Sequence, residues 1–392
     1  MSVIGIVCEF NPFHKGHKHL IDSVKKSGDT IVCVMSGNFV QRGEPALFPK
    51  ETRVKAALLN GVDIVLELPF IYATSSAEIF AYNAVKILND FGCDKLAFGT
   101  ESASVEDLNN AVEILNYNDF DDKIKKYLET GISYPTARQR AFEEYNVDFD
   151  ISMPNNILAL EYVKAIKKLN SNMIPMPITR IGAGYNDTKS VDGIASATHI
   201  RQLINKNEEF LRFVPENVIG LYNEDLKNKK FLSLEKYNIA TLALLRSKLN
   251  EDLSLIANMA EGLENRIKTA IKDSVNLNDV YDKAKTKRFT HSRIRHAVLS
   301  LTFGITSKDL KITVPYCRLL GFNVESAEIM GTLAKNSKIP FVVSYSDILN
   351  LKTTDAEKIF AIENKAGDFY SLIMQKSGDC SKEMTFSPVK MQ

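Results

Sequence analysis

The chain has six histidines, and His14, His17 and His19 fall together in the segment CEFNPFHKGHKHLI, Cys8 to Ile21, directly after an apolar run. A strand followed by a helix does not need such a cluster. His14 and His17 are three apart, so on a first helical turn they share a face. Gly16 between them lets a ligand approach the backbone. The start of a helix adds unpaired N–H groups and the positive end of the aligned peptide dipoles. Two imidazoles and a free helix end in one small volume suit an α-phosphate under in-line attack, where developing negative charge needs fixed donors. The alternatives are a metal site at His14 and His17, for which the His-x-x-His spacing is poor for zinc, and a solvated or packing role for His19. No resident metal is expected. The segment is neither a P-loop nor a dinucleotide fingerprint, since GxxxxGK[ST] and GxGxxG strings are both missing from it.

The elements around the cluster follow a regular rhythm. VIGIVC (3–8), TIVCVM (30–35), DIVLEL (63–68) and KLAFG (95–99) read as strands buried on both faces, with helical patterns at 16–27, 50–61 and 75–91 between them. That rhythm predicts an α/β fold, a Rossmann-like domain with a parallel sheet built from right-handed βαβ units. Two helices are expected from VEDLNNAVEIL to ARQRAFEEY, one over PNNILALEYVKAIKKL and a strand at IPMPITRIG. SATHIRQLI (196–204) reads as a helix start capped by Ser196 or Thr198.

Ligands of such sheets bind at the carboxyl ends of the strands. The histidines, Gly99 and the segment SGNFVQRGEPALFPKETR all fall at strand ends. In that segment Gln41, Arg42, Lys50 and Arg53 are candidate phosphate, acetate or RNA contacts, Arg42 foremost; a solvated loop is the alternative.

After about residue 205 strand signals thin out, and helices are expected at 236–249, 251–273, 276–284 and 290–303. This gives two domains, 1–205 and a mainly α-helical 206–392. The last stretch, KSGDCSKEMTFSPVKMQ, is polar and unpatterned and is expected to be loose.

The net charge of +1 gives no global pull toward nucleic acid or an anionic membrane, so binding of either must come from a local patch. One such patch is KTKRFTHSRIRH (285–296), with five Lys or Arg and no acid. Lys287, Arg288, Arg293 and Arg295 are candidate phosphate contacts. Thr290 would cap a helix with Arg293 and His296 facing outward, and Phe289 could stack on a base. An ordinary basic helix start is the alternative. The five cysteines show no CxxC pairing, which fits a reducing cytoplasm. No run of about 18 apolar residues offers a membrane span.

The H-x-G-H string at the end of the first strand resembles the nucleotidyltransferase superfamily, whose members form an adenylate or cytidylate and release pyrophosphate. SATHIR matches that superfamily's I-S-S-T-x-I-R motif at Ser196, Thr198 and Arg201, with altered first residues. With MSGNFVQRGEPA, ELPF, FGTE, PNNILALEY, TRIGAGYND and THSRIRHAVLSLTFGI added, the chain is similar to the tRNA(Met) cytidine acetate ligase family. The resemblance implies an ATP-dependent ligase. It would activate acetate as acetyl-adenylate and pass the acetyl group to N4 of the wobble cytidine of elongator tRNA(Met), forming N4-acetylcytidine.

The resemblance also implies catalytic roles for His14 and His17; Arg42, from its place on a strand-end loop, is the third catalytic candidate. ATP contacts are implied along Val7, Cys8, Glu9, Phe10, Asn11, Pro12, Phe13, His14, Lys15, Gly16, His17, Lys18, His19 and Leu20. Gly99, Asn155, Arg180, Ser196 and Thr198 complete the set, with Asn156 an alternative to Asn155. Asn11 could orient a phosphate or the acetate, or form an Asx-turn before Pro12. Any Mg²⁺ would ride on the triphosphate. Two other functions stay open. One is an adenylyltransferase for a small cofactor precursor, against which the long second half and its basic patch argue. The other is a non-catalytic RNA-binding protein, against which the intact His14, Gly16 and His17 argue.

Overall fold

The computed structural model describes residues 2–392 apart from 133, 148, 152, 181–192 and 260. Residues 181–187 of the TRIGAGYND string therefore lie outside the described residues. Five strands form the parallel heart of one sheet: β1 (Val3–Cys8), β2 (Thr30–Ser36), β3 (Ile64–Leu68), β4 (Lys95–Thr100) and β5 (Ile174–Thr179). Their spatial order is β3–β2–β1–β4–β5. β1 pairs with β2 from Val3↔Thr30 to Cys8↔Met35, and with β4 from Ile4↔Lys95 to Ile6↔Ala97. The chain winds one way from β1 and returns to continue on the other side, so the switch point lies between β1 and β4 and opens a crevice at their carboxyl ends.

Every residue of β2 and β3 is buried, as a parallel sheet covered on both faces requires of its central strands. The helices α1 (Lys15–Val24), α2 (Lys50–Leu58) and α3 (Ala77–Phe91) connect β1 to β4. α3 packs directly on β1: a Cβ at Gly5 would sit 2.8 Å from Leu88 Cδ1. α4 (Pro154–Lys168) precedes β5, and α5 (Ala197–Asn205) follows it. Two of the expected helical stretches need correction. The stretch from Val105 to Glu143 forms three helices, Val105–Ile114, Phe120–Glu129 and Tyr134–Glu143, because polar residues 116–119 break the first run. The helix expected over 251–273 covers only Leu263–Lys272, since Gly262 at φ 86 turns the chain just before it.

Beyond residue 205 the chain is mainly helical, including α6 (His291–Phe303) and α7 (Thr354–Leu372), but the sheet does not end there. β6 (Cys317–Asn323) pairs antiparallel with β3, from Ile64↔Phe322 to Glu67↔Arg318. β7 (Val389–Met391) and the short strand Phe341–Val342 both pair parallel with β6.

The carboxyl-terminal stretch expected to be loose is thus part of the sheet, and it also supplies a buried charge. Lys50 Nζ lies 2.5 Å from Glu383 and 2.7 Å from Glu67, and Arg318 Nη1 lies 2.8 Å from each of them. Lys50 and Arg53 are therefore not phosphate or RNA contacts. Arg53 is fully buried and spends its guanidinium on the carbonyls of Phe48, Glu9, Ser36 and Gly37, fastening the ends of β1 and β2 together. No helix among the described residues is long and apolar enough to cross a membrane.

Candidate active site

A cleft opens at the carboxyl ends of β1 and β4, and both α1 and α5 begin at it. Its walls include Val7, Cys8, Glu9, Phe10, Asn11, His14, Gly16, His17, His19 and Leu20 from the first βα unit. Gln41 and Arg42 enter from the loop after β2, Gly99 from β4, Asn155 from α4, Arg180 from the end of β5, and Ser196, Thr198 and Arg201 from the start of α5.

The histidines are locked by the backbone they cap. His14 stands at the N-cap of α1, where its Nδ1 accepts the Gly16 N–H at 3.0 Å, while His17 Nδ1 accepts the His14 N–H at 3.3 Å. The two rings stack with centroids 3.8 Å apart. A ring nitrogen that accepts carries no proton, so each neutral ring holds its proton on Nε2. Burial, then the Arg180 and Arg201 charges, lower His14 to about 3. Burial, then His14 and Arg180, hold His17 well below the usual histidine range. Both are neutral donors at pH 7, and positive charge comes from the arginines. A Cβ on Gly16 would lie 2.8 Å from His14 Cε1, so the glycine makes room for the capping ring.

α5 presents a second helix start. Ser196 Oγ caps it, accepting from the His199 N–H at 3.2 Å, which decides between Ser196 and Thr198 as the cap. Arg201 donates to the Asn11 carbonyl at 2.8 Å and to Thr198 Oγ1 at 3.2 Å, joining the two helix starts. The motif places Arg201 without giving it a role; its spacing of three from Thr198 was the available signal. Asn155 accepts from Arg180 at 3.3 Å and donates to Glu101 at 2.6 Å. Asn156 is buried and bonds the backbone of Glu101 and Asp150, so Asn155 is the cleft-facing member of the pair. A Cβ on Gly99 would lie 3.3 Å from Arg180 Cγ, so the bare backbone admits the arginine stem.

Asn11 lines the cleft, and its Oδ1 accepts the Leu47 N–H at 2.8 Å, so that oxygen holds the following loop rather than closing an Asx-turn. Other expected contacts stand elsewhere. Pro12 and Phe13 are buried outside the cleft, Lys15 is exposed, and Lys18 pairs with Asp22 one turn along α1 at 2.5 Å.

The basic segment is less free than its composition implies. Arg288 and Arg293 both reach Glu261 Oε2 at 3.1 Å, and both lie over the Phe289 ring, which is buried and so not available to a base. Arg295 pairs with Glu44 at 2.6 Å. Thr290 caps α6 as expected, but His296 turns inward, with Nε2 2.7 Å from the Gln41 carbonyl. Gly43, at φ 74, lets the two segments meet: a Cβ there would lie 3.0 Å from Arg295 Cβ. The basic helix therefore docks on the loop that carries Arg42.

Among the described residues, one group of three carboxylates could share a cation: Glu67, Glu363 and Glu383, with oxygens within 4.8 Å of one another. It lies away from the cleft and is already met by Lys50 and Arg318. Burial, then the Glu67 and Glu383 charges, raise Glu363 to about 8, so it keeps its proton near neutrality and the cluster balances.

A family model described as HIGH Nucleotidyl Transferase matches residues 1–384. Curated relatives named tRNA(Met) cytidine acetate ligase include one from Acetivibrio thermocellus, 36% identical with 94% of each chain covered. Another, from Lysinibacillus sphaericus, is 36% identical with 96% of each chain covered. Among solved structures, apo TmcAL of Thermotoga maritima matches with a TM-score of 0.91 at 30% identity over all of both chains. TmcAL of the same organism bound with alpha-thio ATP gives 0.90 at 30% identity, again over all of both chains.

Proposed function

This chain belongs to the HIGH nucleotidyl transferase family and, within it, to the tRNA(Met) cytidine acetate ligases, and we propose that it acetylates N4 of the wobble cytidine of elongator tRNA(Met) at the expense of ATP. The observation that carries this reading is the pair of neutral Nε2–H donors, His14 and His17, set with Arg180 and Arg201 where two helices begin. That arrangement serves phosphoryl chemistry by position and fixed charge alone.

In the first step an acetate oxygen attacks the α-phosphorus of ATP, the new O–P bond forms, and pyrophosphate leaves with the electrons of the broken bond. His14 and His17 donate to the non-bridging oxygens as charge builds on them. Arg42, Arg180, Arg201 and the starts of α1 and α5 hold the polyphosphate. The stretch Val7–Leu20, where it lines the cleft, holds the nucleotide with Gly99 and Asn155. The adenylate is needed because free acetate is a poor acyl donor and the cytosine amine has its lone pair delocalised into the ring. In the second step N4 attacks the acetyl carbon and AMP leaves.

Residues 1–205 supply the ATP and acetate site, and the half from 206 onward binds the tRNA, with Lys287, Arg288 and Arg293 as phosphate contacts. The target base must leave its stack to reach the cleft. Mg²⁺, where used, arrives on the triphosphate. A cytoplasmic location fits these substrates. The test is ATP–pyrophosphate exchange: acetate alone is expected to support it. Exchange that instead requires a nucleotide or pantetheine substrate would return the reading to a small-cofactor adenylyltransferase.

A further inference from the structure

Acetyl transfer leaves a proton to be placed. Forming the amide joins cytidine N4 to the acetyl carbon, breaks that carbon's bond to the phosphate oxygen, and sends the electron pair out with AMP. N4 is then left with one proton too many. A base held in the cleft to take it as the amine attacks would speed the step.

The histidines of the motif do not serve. Each uses Nδ1 to accept a backbone N–H, so its outer nitrogen already carries the ring's proton. His19 lies further along α1, with Nε2 3.4 Å from Ser23 Oγ. Among the described residues, Glu9 is the one acid that lines the cleft. A carboxylate there opposes the binding of both ATP and acetate, which calls for a role that offsets the repulsion.

Two contacts define where it stands. Glu9 directly follows β1 and leads into the helix start that would receive the phosphates. Its Oε1 accepts the Gln41 N–H at 2.8 Å. The Gln41 carbonyl in turn meets His296 of α6 at 2.7 Å, on the helix that carries Arg293. One residue, Gln41, thus ties the carboxylate to the element through which the tRNA would dock. Burial raises the proton affinity of Glu9, although the Gln41 N–H and then the Arg42, Arg201 and Arg53 charges act against this.

We propose that Glu9 is the general base of acetyl transfer, accepting the N4 proton as cytidine attacks the acetyl-adenylate. The inference rests on the acetyl-transfer reading above.

The test compares two fates of the same intermediate. With ATP and labelled acetate, hydroxylamine traps acetyl-adenylate as acethydroxamate without needing a base from the protein, while purified tRNA(Met) takes the acetyl group in a single turnover. Glu9→Gln keeps an oxygen for the Gln41 N–H and removes the base. Transfer to tRNA by this variant is expected to fall at least about 100-fold relative to its own hydroxamate formation, the usual lower bound for a general base. Glu9→Asp, which keeps a carboxylate, should recover part of the loss. Equal losses in both assays, or transfer that keeps pace with trapping, would overturn the assignment. If the wild-type protein forms no acethydroxamate from acetate, the acetyl-transfer reading itself fails, and this proposal with it.

Discussion

His296 Nε2 lies 2.7 Å from the carbonyl oxygen of Gln41, so an imidazole on the basic helix holds the loop that brings Arg42 to the cleft. Burial lowers the proton affinity of His296, which makes the ring a neutral donor to that carbonyl. His296→Phe leaves the carbonyl without a partner, at a cost of about 1–3 kcal/mol. His296→Gln keeps a donor and is expected to restore most of it. Urea unfolding of both variants checks this; equal stability of the Phe variant and the wild type would mean the contact is idle.

The two motif histidines make acid stability pH-dependent. The unfolded chain takes protons on them near the ordinary histidine value of about 6.5, whereas folded His14 does so only near 3. Between those values the unfolded state binds more protons, so stability falls as pH drops from about 6.5. His14→Gln is expected to flatten the slope of unfolding free energy between about pH 6.5 and 5, a window above most carboxylate titrations. An unchanged slope would show that His14 is free to protonate in the folded protein.

The buried cluster of Lys50, Arg318, Glu67, Glu363 and Glu383 tests the carboxyl-terminal stretch. Glu383→Ala leaves Lys50 and Arg318 to share Glu67, with one buried positive charge unbalanced, and is expected to cost about 3–5 kcal/mol, the usual penalty for breaking a buried pair. Glu363 behaves in the opposite sense. Its folded value of about 8 lies above the ordinary carboxylate range, so its contribution is complete at acid pH and is lost as pH rises through 8. Glu363→Gln should therefore gain on the wild type as pH is raised from about 5 to 8. Thermal melts across that range decide it, and a constant difference would contradict the assignment.

Arg288 and Arg293 share Glu261 in the free protein, so that carboxylate competes with RNA phosphates for them. Glu261→Gln is expected to tighten tRNA binding. Arg293→Glu should weaken it and reduce the salt slope by about 0.7–0.9 for each phosphate that the variant no longer neutralises. Anisotropy titrations at several salt concentrations measure both. A Glu261→Gln protein with unaltered affinity would remove these arginines from the RNA surface.

The parallel sheet and the histidine cluster were legible in the sequence because their signals are local. VIGIVC and TIVCVM are continuous apolar runs of the kind only a doubly covered strand needs, and H-x-G-H sits directly after the first of them. What was not legible depends on partners far along the chain. Lys50 reads as a loop cation, and only Glu383, 333 residues away, and Glu67 make it a buried one. Arg295 reads as a phosphate contact and His296 as an outward residue until Glu44 and Gln41 cover them. The last strand failed to register because VKM is three residues long and takes its register from β6. Pro12, Phe13, Lys15 and Lys18 share the motif's stretch but not its cleft: Pro12 and Phe13 turn into the core ahead of α1, and the helix sends Lys15 and Lys18 to other faces than His17.

The central claim is acetyl transfer at the His14–His17 cleft. The most direct measurement incubates purified tRNA(Met) with the protein, ATP and labelled acetate, then identifies the labelled nucleoside by mass. The account predicts label in N4-acetylcytidine with the wild-type protein and none with His17→Ala. Label that persists in His17→Ala would contradict the placement of the chemistry. Acetate-driven release of pyrophosphate with no label on cytidine would contradict the acceptor.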